Sequence, residues 1–241
     1  MAVYNPRIDL LRALLYGVSA QRPSHSVFVG GQQLPLEARM GGIFLGFLCA
    51  LALLAFLGRL RAAKPPEGWL GLACWALVAL TGLDGLNAFL YDGGLFHLHA
   101  PNSLLRLATG LGAGLGLGLL AVPVVASSIW QRPHDEAALE DPVELGAGVA
   151  AVALLAALIL AGVAPLLWPI AVAMLFGVLV AFGVANLYVL VLASSRARQA
   201  VRFADVSGLV VASAGLGLLE LAGLSVLRTW LATSFGFTWG V

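Results

Sequence analysis

Residues Ser103–Ile129 read SLLRLATGLGAGLGLGLLAVPVVASSI, an apolar run whose one charge, Arg106, falls about a turn from its start. At 1.5 Å per residue the run is long enough to cross a hydrocarbon core of roughly 30 Å. A charge inside such a segment costs a few kcal/mol unless it is paired or hydrated, so Arg106 marks either a site or a structural clamp. The run also alternates Gly110, Gly112, Gly114, Gly116 and Gly118. Alternating glycines can suggest a strand, but the length and the lack of β-branched neighbours favour a helix. On a helix they form two small-xxx-small series, Gly110/Gly114/Gly118 and Gly112/Gly116. Such series let another helix, a lipid tail or a flat pigment approach the backbone, and packing within the chain is the first expectation.

The rest of the chain has the same character. It is 61% hydrophobic and 10% charged, with a mean hydropathy of +0.97, too little polar surface to cover a soluble globule of 241 residues. The class is an all-α polytopic membrane bundle. Six spans are expected, at Met40–Leu57, Trp69–Tyr91, Ser103–Ile129, Leu145–Val163, Leu167–Ala193 and Val206–Leu231. Gly162 to Pro165 leaves only a tight turn between the fourth and fifth, so five spans with one long bent helix is the alternative. Before them, Asn5–Val18 places Ile8, Leu11, Leu14, Leu15 and Val18 on one stripe, an amphipathic helix expected to lie in the interface. Residues 1–39 therefore read as helix and loop, 40–130 as one three-helix unit and 131–241 as a second. No cleavable signal peptide is expected, because Arg7 and Asp9 are followed by no adequate apolar core.

Arg59, Arg61, Lys64, Arg132, Arg196, Arg198 and Arg202 fall in loops on one side, which the positive-inside rule makes cytoplasmic. Both termini would then face outward, and the Ala, Leu, Gly and Arg-rich vocabulary points to the cytoplasmic membrane of a bacterium. Trp69, Trp130 and Trp230 lie near span ends, as an interfacial aromatic belt requires. A net charge of +1 without a basic run gives no reason to propose nucleic acid. Cys49 and Cys74 sit at unmatched depths and read as small packing residues.

Thr81, Asp84 and Tyr91 share one stripe of the second span with Asn87 close by, and Asn102, Arg106 and Gly110 do the same on the third. The short connection between these spans makes them an antiparallel hairpin, with Asp84 and Arg106 at one depth and expected to pair. Two readings fit Asp84, Asn87, Asn102 and Arg106: a buried clamp that fixes register, or a polar ligand pocket, with Asn102 also placed to cap its helix. Glu220 and Arg228 in the last span are expected to contact a protein partner, and Asn186 to bond between helices. His97 and His99, in the loop at the membrane surface, are weak candidates to ligate a porphyrin.

The run Gln21–Phe28 (QRPSHSVF), then Gly30–Gly46 (GGQQLPLEARMGGIFLG), Asp84–Asn87 (DGLN) and Pro101–Leu111 (PNSLLRLATGL) resembles, in order, the motifs of the DUF2085 family of predicted membrane proteins. The resemblance covers about the first half of the chain. Typical members carry a Cys-His pair before Gln-Arg-Pro and a Cys-Ala-Arg-Cys-x-Gly run, a set whose spacing implies metal binding or disulfide cycling. Ser19, Ala20, Glu37 and Met40 stand at those positions here. No metal is therefore expected, while a bound pigment or lipid remains open.

Walker, HExxH and GxSxG motifs are all missing from the sequence, and the chain reads as a non-enzyme. The favoured function is an accessory subunit of a larger membrane assembly, respiratory or photosynthetic, contacting lipids and other integral-membrane subunits. The alternative is a small transporter or a lipid- or ligand-binding protein built on an Asp84/Arg106 pocket, with Arg39 or Glu220 as further members.

Overall fold

The computed structural model describes residues 5–194 and 197–236; Arg196, counted above for topology, lies outside them. Seven α-helices are described: α1 Pro6–Leu15, α2 Ala38–Phe56, α3 Gly68–Asp92, α4 Ser103–Ile129, α5 Pro142–Leu160, α6 Leu167–Ala193 and α7 Phe203–Phe235. All but α1 are long and apolar enough to cross a membrane. Helix is the form such segments must take, since hydrocarbon offers no partner to a free backbone N–H or C=O. The fourth and fifth spans are separate helices: α5 ends at Leu160, Gly162 takes φ +65°, and a 3-10 turn at Ala164–Leu166 leads into α6.

The hub is α4. Its two glycine series face different neighbours. A Cβ added at Gly110 or Gly114 would strike the Arg39 or Ile43 carbonyl, and one at Gly118 would strike Ala50, all on α2. Gly42 and Gly46 on α2 return the fit, against the backbone at Leu107 and Leu111. Gly112 and Gly116 instead face α3, at Leu77 and Cys74. Residues two apart on a helix point roughly 200° apart, so α2 and α3 occupy nearly opposite sides of α4. A third side is covered by α5, whose Gly148 meets Leu115.

Around this hub, α6 packs on α2 and α7 packs on α6. Helix α1 is docked on the bundle, with Ile8, Leu11 and Leu15 buried while Leu10 and Leu14 stay exposed. Ser225 Oγ on α7 accepts from the Gly17 amide at 3.0 Å and donates to the Leu14 carbonyl at 3.1 Å, fixing the end of α1.

Short segments close each end. At one end the hairpin of β1 (Phe28–Val29) and β2 (Gln32–Gln33) caps the bundle, its Gly30 amide donating to the Gly162 carbonyl at 2.8 Å. At the other, β3 (Ala62–Lys64) pairs in parallel with β4 (His134–Ala137), and the Arg61 guanidinium stacks 4.0 Å from the Trp130 ring centroid. There Arg59 reaches Glu144 Oε2 at 2.6 Å and Glu140 Oε2 at 3.3 Å, tying the end of α2 to the start of α5. Cys49 and Cys74 are free.

Candidate functional site

The Thr81 hydroxyl donates to the Thr109 carbonyl at 2.6 Å, which sets the register of α3 against α4. Three residues further along each antiparallel helix, Asp84 and Arg106 stand at one depth. They do not pair. Asp84 Oδ2 is taken by Arg39 Nη2 at 2.5 Å, because Gly110 lets the Arg39 backbone lie against α4 and its side chain cross to α3. The expected Asp84–Arg106 pair is thus replaced by Arg39–Asp84.

Arg106 is left facing a polar cavity of about 240 Å³ at the capped end, lined with it by Arg22, His25, Glu37, Arg39 and Asp92. It is only 5% exposed, and its side chain has no acceptor among the described residues. Neighbouring charges cancel in pairs: Arg22 Nε meets Glu37 Oε1 at 3.1 Å, and Arg39 meets Asp84. Asp92, on the rim, is exposed. Three buried atoms lack a hydrogen-bond partner here, Arg39 Nε, Arg106 Nε and Asp84 Oδ1. Buried polar atoms are nearly always satisfied in native proteins, so their concentration at one place is itself a signal. With Asp92 counted the charges balance, but of the three guanidinium groups only that of Arg106 has no carboxylate within 4 Å among the described residues, which leaves it directed at the cavity and suited to an anionic acceptor.

The other expected residues do different work. Asn87 anchors the 93–102 loop, accepting from the Leu98 amide at 2.7 Å and donating to the His99 carbonyl at 2.9 Å. Asn102 caps α4, accepting from the Leu105 amide at 2.7 Å. Gly110, Gly114 and Gly118, like Gly112 and Gly116, are occupied by packing inside the chain. Glu220 accepts from Asn186 Nδ2 at 2.8 Å, and Arg228 donates to the Tyr16 carbonyl at 2.9 Å while stacking on its ring. Both therefore bond within the chain. His97 and His99 each place Nδ1 within 3.3 Å of a backbone carbonyl, at Leu95 and Ala100.

Arg22, His25 and Glu37 carry no signal in the pattern of spans, because they lie in the cap. Their one signal is the density of motif matches around them. The donors at the four substituted family positions do not fit a metal. Ser19 Oγ accepts from the Glu37 amide at 3.0 Å, Glu37 is spent on Arg22, and Ala20 offers no donor.

His25 lies 3.9 Å from Glu37 Oε2. Burial first, then the charges of Arg106 and Arg22, push its pKa below 6.5, against the opposing pull of Glu37 and Asp92. Between that lowered value and 6.5 the folded chain binds fewer protons than the unfolded chain, so this contribution to stability rises with pH and is complete above 6.5. Melting temperatures in detergent from about pH 5 to 7 should show the rise, and His25→Gln should flatten it.

A family model described as "Predicted membrane protein (DUF2085)" matches residues 19–120. No curated protein and no solved structure matches the chain. The matched segment contains the cap, α2, α3 and α4 as far as Leu120, and every residue that lines the polar cavity falls inside it.

Proposed function

We propose that this membrane protein is a non-catalytic binder of an anionic ligand, held in the polar cavity at the capped end. The carrying observation is Arg106, nine-tenths buried, facing the cavity and with no ion-pair contact within 4 Å among the described residues. The lining offers guanidinium groups for charge recognition and no hydroxyl or thiol nucleophile. Arg59, Arg61, Lys64, Arg132, Arg198 and Arg202 follow or precede helices at the opposite end, which supports a cytoplasmic position for that end and an outward-facing cavity. The membrane would be the cytoplasmic membrane of a bacterium.

A ligand that binds only the folded state raises the melting temperature. Inorganic phosphate, compared with chloride at equal ionic strength, should stabilise the purified, delipidated protein in detergent and should not stabilise Arg106→Gln. Equal responses of the two proteins, or no response in the native chain, would overturn the reading.

A second reading, as accessory subunit, is favoured by α7. Its Val211, Leu219, Val226 and Trp230 are all exposed beyond half of their surface, an apolar face broad enough for another subunit as well as for lipid. Gentle extraction and native electrophoresis decide it: stoichiometric co-migration with a large complex supports the subunit, and free migration removes it.

A further inference from the structure

We infer that the anionic ligand is a phospholipid, its phosphate on Arg106 and one acyl chain in the cleft between α2 and α3; this rests on the anion-binding reading above. The cleft follows from the packing of α4. With α2 and α3 on nearly opposite sides and α5 on a third, the fourth side of α4 lies between α2 and α3, and α6 walls it toward the end of α4. Arg106 points along that side. At about 100° per residue, Ala113, Leu117, Leu120 and Val124 all fall within roughly 40° of it.

Further along this same face lies a second cavity, of about 580 Å³, lined by Leu117 and Val124 of α4 with Phe47 of α2, Trp75 of α3 and Phe182 and Tyr188 of α6. One face of one helix therefore presents an unmatched cation near its start and an apolar hollow beyond it. Between the two stands Ala113, a small side chain that is itself covered, so an acyl chain passing it must part its neighbours slightly. The eleven residues from Arg106 to Leu117 rise about 16 Å, roughly half the thickness of a ~30 Å hydrocarbon core. A phosphate at Arg106 sits where headgroups sit, and its acyl chain descends to the apolar hollow near the midplane.

A free anion would use only the polar cavity. An uncharged hydrocarbon would use only the apolar one, and would leave Arg106 without an acceptor. An amphiphile with one phosphate and at least one long chain matches both, by charge at the top and by apolar lining below. The polar cavity is small beside a drug-sized site, which suits a phosphate with a compact headgroup.

The test is to purify the full-length protein from its membrane in mild detergent, extract and quantify bound phospholipid, and record native mass spectra. Four chains are compared: native, Arg106→Gln, Arg106→Lys, and the cleft-filling pair Leu117→Trp/Leu120→Trp, with Leu117→Phe as a milder filling should the pair fail to fold. About one phospholipid per native chain is expected, falling about tenfold in Arg106→Gln and in the filled-cleft variant and less in Arg106→Lys. Phosphate-dependent stabilisation should survive in the filled-cleft variant. Phospholipid retained in full by a folded filled-cleft variant would overturn the inference. Phosphate stabilisation without bound phospholipid in the native chain would also overturn it while leaving the anion site standing. Absence of both would remove both.

Discussion

Asp84→Ala is expected to destabilise the protein by about 3–5 kcal/mol, the cost typical of removing one member of a buried ion pair. The Asp84 side chain is 4% exposed and that of Arg39 24%, so the pair is largely shielded from water. Without Asp84, the Arg39 guanidinium would share the cavity with Arg106 and Arg22 and have no acidic neighbour at its own depth. Arg39→Met/Asp84→Leu should recover most of the loss, because two apolar side chains of similar size need no solvation to be replaced. Arg106→Met should behave oppositely to Asp84→Ala. It removes a buried charge that has no partner, so its stability should equal or exceed the native value while anion binding disappears. Melting temperatures of the native chain, Arg39→Met, Asp84→Leu and the double variant in one detergent, read as a double-mutant cycle, give the coupling of Arg39 to Asp84 directly. An Asp84→Ala protein as stable as the native one would show that the pair contributes nothing.

The contrast between these variants marks where sequence reasoning stops. Rise per residue is a local property, so the depth of Asp84 relative to Arg106 could be read from a short loop and two helical stretches, and the Thr81–Thr109 hydrogen bond agrees with it. Which cation reaches Asp84 depends on how closely a third helix approaches. That distance is set by Gly110 against the Arg39 backbone, a long-range fit with no periodic signature. The six apolar helices were legible for the same local reason, as was the cap at Asn102, whose side chain bonds three residues ahead. Arg22, His25 and Glu37 come from an irregular segment that carries neither a helical nor a strand period. Only the folded cap brings them to Arg106. The amphipathic stripe of α1 was visible, yet the surface it meets was not: Ile8, Leu11 and Leu15 are buried, with α1 packed on α6 and α7.

Gly114→Leu should destabilise more than Asp84→Ala, by upwards of about 5 kcal/mol and enough to prevent recovery of folded protein. Its Cβ would strike the Ile43 carbonyl oxygen and come within 2.7 Å of the Phe47 amide nitrogen. Both are backbone atoms of α2, inside a helix that cannot bend locally without losing hydrogen bonds that lipid will not replace. The whole of α2 must then move away from α4. In a bilayer no hydrophobic force draws it back, since helix association there rests on close van der Waals contact of the kind the glycines provide. Gly146→Leu and Gly215→Leu are the controls. A Cβ at either position meets nothing within 4 Å, so both should be recovered like the native chain by size exclusion in detergent. Gly114→Ala tests the link to function, because displacing α2 by even a little draws Arg39 from Asp84. Its expected signature is a lower melting temperature together with weaker stabilisation by phosphate. A Gly114→Ala protein that melted early but kept the full phosphate response would show that the cavity does not depend on the α2–α4 contact.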